Sequence, residues 1–255
     1  MDFAEEPATK ARLSSALSRT GGTLAFSWLN LSEFIKVDSR ETAQQAEELL
    51  RAAWPNIAFI QVVPHPVIQL EDSDFKDSDQ RTSILDRDIF DHYFGRALKS
   101  TSPNPWDPAG FITDMQSQAL RAKTAHSRAV GLGASRRQYE IAKQRFQTEP
   151  KYQRFVRAVP KGPARRWPTK HLMEELDHAA IRGEFDLFAR GNVDDLFHSI
   201  VPVAYCDLVV LDRANANRLG ATLKRLRRAD LVRRAARLFS RPTLTDFWRA
   251  LDEWA

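Results

Sequence analysis

The 255-residue sequence contains a single cysteine, Cys206, and no apolar run much longer than about four residues. One cysteine cannot form an intrachain disulfide, and the chain has no cysteine or histidine cluster with the spacing of a structural zinc site. A membrane-spanning helix needs about 20 apolar residues, and the acidic start, Met-Asp-Phe-Ala-Glu-Glu-Pro, does not read as a secretory signal. The sequence therefore predicts a cytoplasmic protein without a membrane span.

Acidic residues are scarce between Arg213 and Arg241, where Asp230 is the only one. Ten basic residues there give a local charge well above the net charge of +5 for the whole chain, so the remainder is mildly acidic. A basic segment of this kind attracts polyanions, and nucleic acid is the partner that we expect. The alternative is a solvated helix face. The ten residues are Arg213, Arg218, Lys224, Arg225, Arg227, Arg228, Arg233, Arg234, Arg237 and Arg241.

The composition, with 43% hydrophobic and 28% charged residues, is that of a folded globular protein. In the N-terminal part, hydrophobic periodicity predicts helices over Thr9 to Arg19 and Glu41 to Ala53. Strands are expected at Thr23 to Ser27, after Gly21-Gly22, and at Ile57 to Val63, where Pro64-His-Pro ends the run. A further helix is predicted over 29–36.

The middle of the chain is rich in helix formers, and we predict helices over 83–99, 111–130, 135–147 and 169–189. The acidic segment from Glu71 to Asp79 lacks the glycine and the final glutamate of an EF-hand calcium loop. We interpret this segment as a solvated connection.

An alternation of helix and strand follows near residue 192. Asp194 or Asp195 is placed to cap a helix that runs through Val203, because aspartate accepts hydrogen bonds from the first helical turn. Leu208 to Leu211 is predicted to form a buried strand of the parallel type. Asp212 comes directly after this strand, at the edge where open α/β sheets bind ligands.

Three carboxylates, Glu33, Asp195 and Asp212, share a position just beyond a predicted strand or at the start of a helix. Carboxylates gathered in one place raise each other's pKa unless a cation is present. Mg²⁺ or Mn²⁺ fits such a set, because these ions prefer oxygen ligands and keep positions for water and phosphate. A pair of such ions supports displacement at phosphorus. The pattern therefore indicates phosphodiester hydrolysis.

These residues resemble the PIN-like nuclease superfamily. The resemblance lies in Ser27-Trp-Leu-Asn-Leu-Ser-Glu33-Phe, Asp195-Leu-Phe-His198, Tyr205-Cys-Asp207 and Leu211-Asp-Arg213. It implies a three-layer α/β sandwich with a mainly parallel central sheet. Residues 1–70 and 190–255 would form this PIN-like core, and residues 71–189 would be a large helical insertion.

The resemblance also assigns residues to the four acids of the family's metal site. Glu33 matches the second acid, Asp195 the third and Asp212 the fourth; Asp194 competes for the third place, and the register with His198 favours Asp195. The first acid normally ends an opening strand. Either Asp2 fills this place with almost no strand before it, or the strand lies upstream of Met1.

The function implied is that of a metal-dependent endoribonuclease, with Mg²⁺ or Mn²⁺ as cofactor and single-stranded RNA as substrate. His198, Arg213, Arg227 and Arg228 are expected to contact the substrate. Some PIN-like proteins are toxins of toxin-antitoxin pairs or defence nucleases, so an antitoxin or another protein partner is also expected. The alternative is a PIN-like module that has lost its first acid and binds RNA or a protein without cleavage.

Overall fold

A computed structural model describes residues 7–27, 30, 40–72, 84–86, 132–160, 168–189, 192–232 and 234–254. These residues belong to two compact units. The first unit takes its described residues from 1–60, 85–130 and 249–255, and the second takes them from 61–84 and 131–248. The sequence-based division, with a core of residues 1–70 and 190–255, stays a prediction.

The first unit has two helix-strand pairs, α1 (Pro7–Thr20), β1 (Leu24–Phe26), α2 (Arg40–Ala53) and β2 (Ile57–Phe59). The strands pair in parallel, with Leu24 opposite Ile57. Gly21 ends α1 with a φ of 61°, a left-handed conformation that glycine adopts without steric cost. These elements confirm the helices predicted over Thr9 to Arg19 and Glu41 to Ala53 and the strand predicted at 23–27, and they confirm the second strand as far as Phe59.

Apolar side chains at helical spacing join α1 to α2. Leu13, Ala16 and Leu17 of α1 are buried, as are Leu49 and Leu50 of α2. This spacing of three and four residues places the apolar side chains on one face of each helix. Burial of the two faces against each other stabilises the described part of this unit.

The second unit is mostly helical. Its elements are α3 (Pro64–Asp72), α4 (Leu132–Thr148), α5 (Pro150–Arg157), α6 (Pro168–Ile181), α7 (Asn192–Tyr205), β3 (Leu208–Val210), α8 (Arg213–Arg228), β4 (Arg237–Phe239) and a 3₁₀ turn (Arg241–Thr243). A last helix, α9 (Leu244–Asp252), begins in this unit and ends in residues of the first.

Helix α6 lies at the centre of the second unit, in contact with α3, α4, α5, α7 and α8. Its side chains are buried on most sides, including Leu172, Leu176 and Ala180. Polar groups on the buried sides of a helix need partners within the protein, because water does not reach them. This requirement explains the buried ion pairs and hydrogen bonds described below.

The strands confirm an α/β protein with parallel pairing. Strand β3 pairs in parallel with β4, with Leu208 opposite Arg237. Among the described residues, β1 with β2 and β3 with β4 form two separate two-stranded sheets. The single central sheet of a three-layer sandwich is not formed by these residues alone, and it stays a prediction.

The structure departs in part from two predictions for this region of the chain. The strand ends at Phe59 with a single bridge at Ile60, and Pro64-His-Pro opens helix α3 where we expected only a strand end. Proline is well tolerated in the first turn of a helix, because the N–H that it lacks has no helical partner there. Glu71 is buried at the end of α3 and so departs from the solvated connection that we expected from Glu71 to Asp79. Residues 73–79 lie outside the described residues, and for them the interpretation stays a prediction.

The predicted helix over 135–147 is confirmed within α4, and the one over 169–189 is confirmed as far as Ile181. The helices predicted over 83–99 and 111–130 lie outside the described residues, apart from 84–86. The helix predicted over 29–36 also lies outside them, apart from residue 30. No helix in the described ranges is both long enough and apolar enough to cross a membrane.

Candidate functional site

Asp212 follows the parallel strand β3 after one intervening residue, Leu211, so the strand predicted over Leu208 to Leu211 is confirmed as far as Val210. It is the N-cap residue of α8, and its Oδ1 accepts a hydrogen bond of 2.9 Å from the backbone N–H of Asn215. The residue is exposed to solvent. This carboxylate is therefore fixed by its own helix and is accessible to a ligand.

Asp195 is exposed in the first turn of α7. The prediction that Asp194 or Asp195 caps this helix is wrong, because α7 already begins at Asn192 and both residues lie inside it. A carboxylate in the first turn still interacts favourably with the positive end of the helix dipole. His198 follows three residues later, is half-buried, and occupies a neighbouring position on the helix surface.

The other two acids of the predicted metal site, Asp2 and Glu33, lie outside the described residues. Among the residues that are described, no three histidine, cysteine, aspartate or glutamate side chains are grouped so that they could hold a metal ion. The convergence of all four carboxylates therefore stays a prediction. Asp207 precedes β3, and its backbone carbonyl oxygen accepts a hydrogen bond of 2.8 Å from the backbone N–H of Arg237.

Helix α8 has a clear division between a buried and a basic side. Asn215, Leu219, Thr222, Leu223 and Leu226 are buried, at helical spacing. The cations lie at the positions between them, so the sequence pattern itself separates the two sides. The exposed basic residues of this helix, which we call the α8 basic surface, are Arg213, Lys224, Arg227 and Arg228.

Two further arginines of α8 are partly engaged in holding the fold. Arg225 donates a hydrogen bond to the backbone carbonyl of Arg157 and lies against the buried Glu175. Arg218 donates to the Asn215 side chain at 3.2 Å. Arg227, although exposed, also donates a hydrogen bond of 3.4 Å to the backbone carbonyl of Ala235. The basic segment therefore contains arginines that contact the fold as well as exposed ones, a distinction that charge counting does not make.

Replacing both Arg227 and Arg228 with Ala is expected to reduce the salt dependence of RNA binding. If both side chains contact phosphates, the slope of log K against log salt falls by about 1.4 to 1.8 units, because fewer counterions are released. Binding is measured by fluorescence anisotropy over a series of salt concentrations. The matched control replaces Arg136 and Arg137, two exposed arginines of α4, with Ala. An equal fall in slope for both double variants would contradict a specific role of α8.

Sequence reasoning missed a buried carboxylate network of the second unit. Glu71 is only 2% exposed. Its Oε1 accepts hydrogen bonds from the backbone N–H of Thr169 at 2.9 Å and from the Tyr205 hydroxyl at 2.6 Å. Its Oε2 accepts from the backbone N–H of Lys170 at 3.1 Å. Glu71, which belongs to α3, thus caps the N-terminus of α6.

This environment changes the acid-base properties of both side chains. Burial raises the pKa of Glu71 above its usual range, although the hydrogen bonds that it accepts oppose the shift. Burial and the nearby Glu71 also raise the pKa of Tyr205. The helical spacing of Val67 and Glu71 after Pro64 places the two side chains on one face of α3. This spacing gives no signal for the partners of Glu71, which lie 98 or more residues later in the chain.

Comparison with protein-family models, with curated proteins and with solved structures finds no match to this chain. The PIN-like resemblance therefore depends on the residues of this sequence alone.

Proposed function

We propose that the protein is a metal-dependent endoribonuclease that cleaves single-stranded RNA and has a PIN-like, three-layer core. The observation that supports this proposal most directly is the position of Asp212. It is an exposed carboxylate at the carboxyl end of a parallel strand, and it opens a helix with a basic surface. The carboxyl ends of parallel strands are the usual place for ligand binding in open α/β sheets.

The donor chemistry of the two described acids fits a hard divalent cation such as Mg²⁺ or Mn²⁺. Asp212 uses one carboxylate oxygen for the helix cap, and a carboxylate has about four acceptor positions in total. Asp195 is exposed one helix earlier. Under the PIN-like resemblance, Asp2 and Glu33 complete the set. The ion would activate water and stabilise negative charge on the phosphate.

The remaining functional side chains would bind and orient the substrate. Arg213 is adjacent to Asp212 in the chain and is exposed, so it is the cation nearest in sequence to the proposed metal ligand. Arg227 and Arg228 lie in the last turn of the same helix. Contacts of this kind fix the backbone of a nucleic acid without reading its sequence. His198 would contact the substrate from α7.

The second candidate function is RNA or protein binding without cleavage. The cap hydrogen bond of Asp212 favours it, because that bond alone gives a structural reason for an aspartate at this position. In this case the α8 basic surface would still bind RNA. A role as a toxin or defence nuclease, with an antitoxin as partner, belongs to the first candidate function only.

Incubation with end-labelled single-stranded RNA in Mn²⁺ tests the proposal. We expect fragments on a denaturing gel in Mn²⁺ or Mg²⁺ and intact RNA in EDTA. Binding of the same RNA is measured in EDTA by anisotropy. Binding without cleavage in either metal would reject the nuclease and support the binding module. Absence of both would reject the nuclease and RNA binding, and would leave protein binding as the second candidate function.

A further inference from the structure

Phe155, in helix α5 of the second unit, has the largest exposed fraction of any large apolar side chain among the described residues, 60%. The next residue, Val156, is fully buried and anchors the helix. Single exposed apolar residues are common on protein surfaces, so exposure alone does not identify a binding site. The surroundings of the Phe155 ring are what distinguish it.

Two neighbouring rings hold Phe155 in place. The centroid of the Tyr152 ring lies 5.9 Å away at an interplanar angle of 28°, in an offset stack. The His178 ring of α6 lies 5.1 Å away at an angle of 74°. Tyr152 and Phe155, which we call the α5 aromatic surface, are therefore ordered while Phe155 stays open to solvent. A ring that is already fixed loses little conformational entropy when a ligand packs against it.

Cations surround the α5 aromatic surface. The exposed cations of this helix are Lys151, Arg154 and Arg157. Lys151 precedes Phe155 by four residues and so lies on the same side of the helix. Helix α5 contains no acidic residue, and Glu149, which precedes it, already accepts two hydrogen bonds of 3.0 Å from Arg145. The open aromatic ring therefore lies in a region of positive charge.

The last turn of α5 meets the last turn of α8. Arg225 of α8 donates a hydrogen bond to the backbone carbonyl of Arg157, the last residue of α5. Arg228, an exposed member of the α8 basic surface, follows Arg225 by three residues and is its neighbour on that helix. The exposed cations of the two helices therefore lie on neighbouring parts of the second unit.

A ligand that combines negative charge with flat rings fits these features best. Exposed aromatic side chains stack unpaired bases, and neighbouring cations contact the phosphates of the same strand. A duplex fits less well, because its bases are already paired and stacked on each other. An acidic polypeptide matches the charge, but its carboxylates make no stacking contact with an exposed ring.

We propose that Phe155 stacks an unpaired base of single-stranded RNA and that the exposed cations of α5 hold the adjoining phosphates. The proposal rests on RNA as the substrate class of the proposed function. It adds a stacking contact to the phosphate contacts of the α8 basic surface. Stacking of this kind is tolerant of sequence, because every base has a flat face. The α5 aromatic surface therefore selects single strands over duplexes.

The test measures binding of labelled nine-residue oligouridine to the full chain by fluorescence anisotropy in EDTA, where no cleavage occurs. Phe155→Ala should weaken binding by about 5- to 150-fold, the usual effect of removing one stacking ring. Phe155→Tyr keeps a ring and should bind nearly as tightly as the wild type. Ile141→Ala is the matched control, because Ile141 is an apolar residue of the neighbouring helix α4 that is 49% exposed. It should leave binding unchanged.

Salt dependence separates the ring from the cations. Phe155→Ala should leave the slope of log K against log salt unchanged, because no cation is lost. Arg154→Ala should reduce this slope by about 0.7 units if the side chain contacts one phosphate. Duplex RNA should bind to the Phe155→Ala variant as tightly as to the wild type, because paired bases offer no free face.

Unchanged oligouridine binding by Phe155→Ala, or by Phe155→Leu, which keeps apolar packing, would overturn the proposal, and so would a wild-type protein that does not bind oligouridine. Oligoglutamate is the arm for an acidic polypeptide, and an equal loss of its binding in Phe155→Ala would overturn the assignment to RNA. Cleavage in Mn²⁺ is scored separately. Absence of cleavage with Phe155-dependent binding rejects only the nuclease, whereas cleavage with Phe155-independent binding rejects only this contact.

Discussion

Replacement of Glu71 with Ala is expected to lower the free energy of unfolding by about 3 to 5 kcal/mol, because each buried donor left without a partner costs about 1 to 3 kcal/mol. The substitution would remove the acceptor for two backbone N–H groups of α6 and for the Tyr205 hydroxyl at once. The central helix of the second unit would then begin with unsatisfied groups. Urea denaturation followed by circular dichroism measures the change.

The neighbouring Asp72 supplies the control for this prediction. Its carboxylate is exposed and pairs with Lys170 Nζ at 2.9 Å, so Asp72→Ala should cost less than about 1 kcal/mol. Glu71→Gln keeps one oxygen acceptor and should be intermediate. A Glu71→Ala protein as stable as the Asp72→Ala protein would show that the network contributes little.

The pH dependence of stability gives a second measurement on Glu71. Burial raises its pKa in the folded protein, so the folded state binds the proton more tightly than the unfolded state does. Between the ordinary glutamate pKa and the raised value, this group makes the free energy of unfolding fall as pH rises. Glu71→Gln should remove that contribution, and an identical pH profile for both proteins would contradict the assigned shift.

Replacement of Asp212 with Asn should reduce Mn²⁺-dependent RNA cleavage by at least about 100-fold. The substitution would remove a ligand of the metal ion, and such an ion stabilises the charge that develops in the transition state by several kcal/mol. Asparagine caps a helix about as well as aspartate, so the melting temperature should change little. Asp195→Asn should have a similar effect on cleavage, with a loss of about 0.3 to 1 kcal/mol of stability from the helix dipole.

Asp207→Asn is the matched control, since Asp207 lies in the same helix-strand segment but precedes β3. It should cleave RNA at nearly the wild-type rate. A variant of Asp212 or Asp195 that cleaves at the full rate would remove that residue from the proposed metal site. Equal losses for all three variants would mean that the whole segment, and not a carboxylate site, had been disturbed.

Local pattern was sufficient to predict much of the fold. The apolar spacing of Leu13, Ala16 and Leu17 predicts α1, and Gly21 predicts its end, because these signals act within one or two turns of chain. The position of Asp212 was predictable for the same reason, since a short apolar run and the following helix define it. Parallel pairing followed from the alternation of helix and strand.

The buried polar clusters were not predictable, because their partners are remote in sequence. Glu71 lies in an acidic segment, and only its contacts with Thr169 and Tyr205 distinguish it from its exposed neighbour Asp72. Glu175 and Arg225 are likewise 50 residues apart and give no joint signal in the sequence. Pairing of charges across a helix bundle depends on tertiary contacts, which hydrophobic periodicity does not encode.

The Glu71 network has a consequence for synthesis on the ribosome. Thr169 and Tyr205, its partners, follow it by 98 and 134 residues. While the chain is being made, the Glu71 carboxylate emerges long before the groups that it binds, and water must solvate it until they arrive. The buried arrangement of the second unit can therefore form only after Tyr205 has left the exit tunnel. A nascent chain that stops before this tyrosine carries helix α3 without its final partner.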